Sequence, residues 1–219
     1  FPLLWMVSTS LMSPGESSAY PPLLVPQQPT LDNYRELFAR AGMGRYLANS
    51  LLLAVAVTAL SLVFNVMAGY AFAKLRFAGR ERIFKLMLGA LVIPGQVAMV
   101  PLFLLLKHLG LVNSYGGIIV PALASIFGIF LVRQYMIGIS DSVLDAARTD
   151  GAGEWRVYRS VALRLSAPIL VTLAVFTFMG TWNDFMWPLI VLADDQLYTL
   201  PVALANLAAR SGRSDRMPG

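Results

Sequence analysis

The chain has 219 residues, 57% of them hydrophobic and only 13% charged, with a mean hydropathy of +0.65. Soluble globular domains run at about 25% charged residues, so this balance excludes an ordinary water-soluble domain and favours a protein embedded in a bilayer. The net charge of +5 raises nucleic-acid binding as a reading, but the placement of that charge along the chain argues against it.

In chain order, the apolar run Phe1-Pro-Leu-Leu-Trp-Met-Val is too short to span a membrane and reads as the tail of a first helix. A loop from Ser13 to Arg45 follows, with Pro21, Pro22, Pro26 and Pro29. Within it Thr30 is placed to cap a short amphipathic helix through Leu31, Tyr34, Leu37 and Phe38, lying on the outer surface. Four long apolar segments come next, over residues 46–73, 83–106, 115–132 and 166–192. Each is near the roughly 20 residues that cross about 30 Å of hydrocarbon at about 1.5 Å per residue. The second is interrupted by Pro94, Gly95 and Pro101, the third contains Pro121 and Gly128, and the fourth carries one acid, Asp184. The tail from Ala209 is polar and reads as shapeless, finishing outside the cell. The expected fold class is therefore all-α: a single polytopic membrane helical bundle over 1–219, lacking most of a first helix and the last helix.

Charge sets the orientation. Lys74, Arg76, Arg80, Arg82 and Lys85 crowd one loop, and Arg133, Arg148, Arg156, Arg159 and Arg164 the next loop but one. Alternate loops share the basic excess, so both are expected on the cytoplasmic side. The segments 107–114 and 193–206 fall on the opposite side, the latter with Asp194 and Asp195. The positive charge thus reads as topology, with no nucleic acid as partner.

Chemistry-bearing residues are scarce. Without cysteine there is no disulfide, thiolate nucleophile or cysteine metal site. The single histidine, His108, cannot build a histidine cluster and suits a flanking interfacial position. No phosphate-binding glycine loop and no His-Glu-x-x-His occurs. The chain is expected to bind no cofactor and to be no enzyme.

The polar insert 133–165 stands apart from this background. Ser140 or Asp141 can cap a helix whose Val143, Leu144, Ala146 and Ala147 form an apolar, small-residue face. Gly151 after Asp150 suits the left-handed residue that ends a helix. A second helix from about Gly153 sets Trp155, Tyr158, Val161, Ala162 and Leu165 on one stripe, with Arg156, Arg159 and Arg164 largely off it. The residues alone leave two readings open: a compact knob that docks a soluble partner, or an amphipathic loop resting its arginines on lipid phosphates.

Asp145-Ala146-Ala147, three residues, Gly151, nine residues, Val161, one residue, Leu163 resembles the cytoplasmic-loop signature of ABC importer permeases. That signature reads Glu-Ala-Ala, three residues, Gly, nine residues, Ile, one residue, Leu-Pro; here Asp145 stands for the glutamate and Arg164 for the proline. Asp150-Gly151-Ala152 also fits the family's usual filling. Asn49-Ser50-Leu51, Ala68-Gly-Tyr-Ala-Phe-Ala73, Trp182-Asn-Asp-Phe-Met-Trp-Pro-Leu189 and Tyr198-Thr-Leu-Pro-Val202 are similar to the maltose-type carbohydrate branch.

The resemblance implies a type I importer permease fold with a cytoplasmic coupling helix. It further implies cytoplasmic ATPase subunits that hold ATP and Mg, a second permease subunit in a hetero-pair, an extracytoplasmic sugar-binding protein, and an inner-membrane location among lipid. Under it, Ala146, Ala147, Gly151 and Ala152 give fit in a groove on the ATPase. Asp145 offers a carboxylate to a basic residue there, Asp150 belongs to the same coupling set, and Pro168 stands in part for the proline that Arg164 replaces.

The translocation path is less marked. Asp184, beside Asn183 and between Trp182 and Trp187, reads either as a cavity-facing sugar contact or as part of an interfacial aromatic belt. Pro94 breaks the second segment and either lines a path or kinks the helix for packing. Two alternative functions remain at this level: import of another small solute by the same machinery, and an autonomous secondary transporter, for which no inverted repeat is visible.

Overall fold

A computed structural model describes residues 2–17, 19–39 and 42–214, and every described regular element is helical. The chain divides into two compact units, Phe1–Ala48 and Asn49–Gly219, where the sequence reading has one domain.

The first unit holds together through its own polar contacts. Helix α1, Pro2–Ser10, is followed by a single turn at Pro14–Ser17 and by α2, Asp32–Ala39. The Glu16 carboxylate accepts from the backbone amides of Ser13, Gln27 and Gln28, gathering the proline-rich loop. The Asn33 side-chain amide donates to the Ser10 and Met12 carbonyls. Thr30 Oγ1 accepts from the Asp32 amide at 3.1 Å, so the expected cap is present and α2 begins two residues after it.

The long helix α3, Met43–Lys74, is unbroken over 32 residues and long and apolar enough to cross a membrane. From Asn49 onward it forms the spine of the second unit. The segment read as one span over 83–106 consists of α4, Arg80–Ala90, and α5, Gly95–His108, bent by 104° and long and apolar enough for a span only as a pair. Pro94 sits at the bend with an extended backbone, and its lack of an amide hydrogen leaves nothing to donate there. Helices α6, Gly116–Ala122, and α7, Ile126–Ile137, run as one 22-residue apolar span with a break at Leu123–Ser125.

Beyond them lie α8, Asp141–Thr149, and α9, Glu154–Leu165, then a 77° bend into α10, Ala167–Asn183. Pro168 occupies the first turn of α10, where a missing amide hydrogen costs nothing. The fourth expected span, 166–192, also breaks: α10 ends at Asp184 and α11 covers Met186–Val191. Helix α12, Leu200–Ser214, occupies a stretch the sequence reading left partly shapeless, because its first ten residues are apolar enough to carry the polar end.

Two apolar cores sit at the two ends of α3. One gathers Leu53, Val57, Leu106, Ile118, Trp187 and Val191. The other gathers Val66, Tyr70, Val132, Met136, Leu144 and Tyr158, so α8 and α9 are packed against the membrane helices and do not hang free. Between α3 and α7, a Cβ on Gly69 would lie 2.6 Å from Val132 Cγ1, so only glycine permits this approach of two helices. Between the two cores, Asn65 is fully buried. Its amide donates to Ser61 Oγ at 2.6 Å and its Oδ1 accepts the Ser125 amide at 2.8 Å. The backbone group freed by the break in the third span is thereby satisfied inside the protein. Elsewhere Leu51, Val55, Val100, Val171 and Phe176 are exposed, as helix faces bathed in hydrocarbon or covered by another chain would be.

Candidate functional site

The Asp141–Leu165 knob is built from local chemistry first. Asp141 in the first turn and Arg148 in the last complement the dipole of α8. The helix stops because Gly151 adopts φ +83°, which an L side chain resists. The Gly151 amide donates to the Arg148 carbonyl and the Ala152 amide to the Ala147 carbonyl, both at 3.0 Å. That pair of bonds is a Schellman cap, and Ala147 and Ala152 pack together at its base on the Tyr70–Leu144 core. Leu144 is fully buried, whereas Asp145, Ala146, Asp150 and Gly151 are exposed. A Cβ on Gly151 would meet nothing within 4 Å, so conformation and not space selects glycine.

In α9 a π-type turn spans Tyr158–Ala162, and the adjacent Val157 and Tyr158 are both buried. Tyr158 packs on Tyr70 with ring centroids 5.1 Å apart, and Trp155 lies 5.2 Å from Tyr158 with most of its own surface exposed.

A charged network runs beneath the knob. Arg148 donates through Nε and Nη2 to both Glu154 oxygens, at 3.2 and 3.0 Å, and through Nη1 to Asp145 Oδ1 at 2.7 Å. Glu154 also accepts from the Tyr70 hydroxyl on α3. These hydrogen bonds, to Glu154 first and Asp145 second, push the Arg148 pKa further up. Lys74, at the last residue of α3, is nearly enclosed and donates at 2.6 Å to both the Ile139 carbonyl and Asp141 Oδ1. The Lys74 ammonium holds the Asp141 carboxyl below the usual carboxylate range. Together Lys74, Arg76, Asp141, Asp145, Arg148 and Glu154 line a polar cleft of about 430 Å³.

The six residues of the Asp145–Ala152 signature thus lie on one helix and its cap. Asp145, which the resemblance implies as a carboxylate for a basic residue of a partner, is paired here with Arg148 of the same chain. Sequence reasoning missed Glu154, Lys74 and Tyr70 as parts of this site. Lys74 had been counted as topology only, and Glu154 pairs with a residue 84 positions away.

The other candidates divide between two breaks. Pro94 marks the α4–α5 bend. Asn183, Asp184 and Trp187 gather at the α10–α11 break. There the Asn183 amide donates back to the Met179 carbonyl at 2.8 Å, and Asp184 Oδ1 accepts from the Trp187 amide at 3.3 Å. Trp187 is buried in the core with Leu53 and Val191, its indole N–H donated to the Gly117 carbonyl at 3.1 Å. Its ring therefore packs between two helices with its one donor paired.

A family model described as binding-protein-dependent transport system inner membrane component matches residues 65–209. The arabinooligosaccharides transport system permease protein AraQ of Halalkalibacterium halodurans is 37% identical over 221 residues, covering 98% of this chain and 78% of that protein. The diacetylchitobiose uptake system permease protein NgcG of Streptomyces coelicolor is 32% identical, covering 95% of this chain and 69% of that protein. The lactose transport system permease protein LacG of Rhizobium radiobacter is 32% identical, with 95% and 76% covered. The fold is similar to a chain in a crystal structure of a bacterial ABC transporter involved in the import of the acidic polysaccharide alginate. That match has a TM-score of 0.86 at 24% identity, over 100% of this chain and 76% of that one. With its polytopic helical bundle and its Gly151-capped knob, the chain belongs to the inner-membrane components of binding-protein-dependent transport systems.

Proposed function

We propose that this chain is the permease subunit of an ATP-driven, binding-protein-dependent importer of sugars, and that the Asp141–Leu165 knob docks its ATPase. The observation that carries the reading is the Schellman-capped helix α8. It packs Leu144 into the bundle and leaves Asp145, Ala146, Asp150 and Gly151 exposed as a small-residue ridge. Such a ridge lets another surface approach backbone closely, and the core behind it transmits load to the membrane helices. ATP and Mg belong to the cytoplasmic ATPase in this scheme, and the chain itself performs no hydrolysis. A second permease subunit completes the pathway, a binding protein outside delivers the sugar, and lipid covers the remaining apolar faces. The named relatives transport oligosaccharides and disaccharides, which supports a sugar of that size as substrate. The break at Asn183–Asp184 and the bend at Pro94 are our candidates for the path wall, with Trp187 holding the first of them in place.

The test uses Ala147→Asp and Gly151→Asp in the full-length protein with its partner subunits. Ala147 is packed at the base of the cap and Gly151 has a left-handed backbone, so each change disrupts the ridge by a different route. Both variants are expected to lose ATPase co-purification and at least tenfold in uptake of radiolabelled arabino-oligosaccharides, diacetylchitobiose or lactose. Normal association and normal uptake in both would overturn the proposal.

A further inference from the structure

The spine helix α3 touches the knob and the middle of the bundle through different residues. At its last turns, Tyr70 donates to Glu154, which holds Arg148 in a bidentate pair, while Lys74 ties the Ile139 carbonyl and Asp141. These are two separate struts from one helix end to both ends of α8. Bidentate and charge-assisted bonds fix direction as well as distance. Nine residues before Lys74, Asn65 grips the break in the third span through the Ser125 amide. Side-chain amides inside a bundle hold neighbouring helices in register. The Gly69–Val132 contact locks the same two helices sideways.

We propose that Tyr70, Lys74 and Glu154 are positioning residues that weld the knob to α3, so that load applied at α8 moves α3 and the Asn65-held break as one body. The inference rests on the docking role proposed above for the knob. It adds that the connection into the membrane runs through this helix and these three side chains.

The chain has no cysteine, so one pair of spin labels can be placed on cysteines introduced together at the exposed positions Ser142 in α8 and Phe64 in α3. In the complete transporter, the Ser142–Phe64 distance measured by double electron–electron resonance is expected to stay unchanged between nucleotide-free and Mg-ATP–vanadate states. In Lys74→Met/Glu154→Gln, with the ATPase still co-purifying, that distance is expected to broaden or to move by about 1–2 Å on nucleotide addition, the size of an ordinary helix shift. Tyr70→Phe, which removes only one hydroxyl, is expected to give a smaller change of the same kind and serves if the double variant does not fold. A wild-type distance that moves with nucleotide, or Lys74→Met/Glu154→Gln and Tyr70→Phe distances as constant as the wild type, would overturn the weld. Failure of the wild-type chain to co-purify with an ATPase would instead overturn the docking role on which the weld depends.

Discussion

Helix α3 is held at its two ends by different kinds of bond. At the Asn49 end, the Asn49 amide donates to the Gln196 and Tyr198 carbonyls, and Ser50 Oγ accepts the Leu200 amide. Nearby, Asn113 Oδ1 accepts the amides of Ala193 and Asp194, and the Trp187 indole donates to Gly117. All of these are neutral, and all end on backbone. At the Lys74 end charged groups dominate, joining side chain to side chain in Tyr70–Glu154–Arg148–Asp145, Lys74–Asp141 and Arg133–Glu81, while Lys74 and Arg133 also donate to the Ile139 and Phe72 carbonyls and the Arg133 guanidinium lies 4.0 Å from the Phe84 ring centre. Bonds to backbone fix a chain path and have little freedom to trade partners. Charge-assisted side-chain pairs tie elements that the backbone ladder does not join, and they hold the knob in a fixed direction while leaving the α8 ridge beyond them exposed. The Asn49 end is therefore built as a fixed joint on backbone, and the Lys74 end as a charged joint that serves as the handle in the docking role proposed above.

Trp187→Ala should cost about 3–5 kcal/mol by emptying a packed core site, read as a lowered thermal precipitation temperature in detergent. Its effect on ATPase association should be no greater than the loss of folded protein explains. A smaller effect follows for Asn65→Leu, which leaves the Ser125 amide without its partner and should cost about 1–3 kcal/mol by the same assay. If Trp187→Ala left stability intact while abolishing uptake, Trp187 would belong to the path and the fixed-joint description would fail.

At the handle the effects should be conditional on pH and not on packing. Because Lys74 lowers the Asp141 pKa, the Lys74–Asp141 strut stabilises the knob fully above the ordinary carboxylate value of 3.8 and loses that contribution as pH falls through the depressed folded value. The mobility of a spin label at Ser142 should therefore be flat near neutrality and rise in acid. Asp141→Asn should remove that acid-dependent rise. An Asp141→Asn profile identical to wild type would mean the strut carries nothing. The smallest change is expected for Asp184→Asn, which keeps an acceptor for the Trp187 amide and should shift stability by under about 0.5 kcal/mol. A change in uptake without a change in assembly would place Asp184 on the path, whereas parallel changes would make it a cap only.

Much of this was legible in the amino-acid sequence, for reasons that differ by residue. The apolar run to Ala73 announced α3, since a long stretch without charge has few other structures open to it. Gly151 announced its left-handed turn, since a glycine directly after a helix-forming run has one common use. Pro94-Gly95 marked a break, but hydropathy averages over bends, so 83–106 read as one span and not as two helices at 104°. The same averaging hid the stop at Asp184. Asn65 passed unnoticed inside an apolar segment, although Ser61 four residues earlier placed a second polar group on the same helical face. The Tyr70–Glu154–Arg148 chain depends on a tertiary contact between distant positions and has no local signature. Recognition of the knob could therefore come from spacing, while its attachment to α3 required the fold.

The most direct test of the account uses a benzophenone photo-crosslinker on a single introduced cysteine, at Ala146 on the handle or at Asp195 near the fixed joint. Both positions are exposed and the chain has no other thiol. In the assembled transporter, an adduct with the ATPase subunit is expected from position 146 and none from position 195. No ATPase adduct from 146, or equal adducts from both, would contradict it.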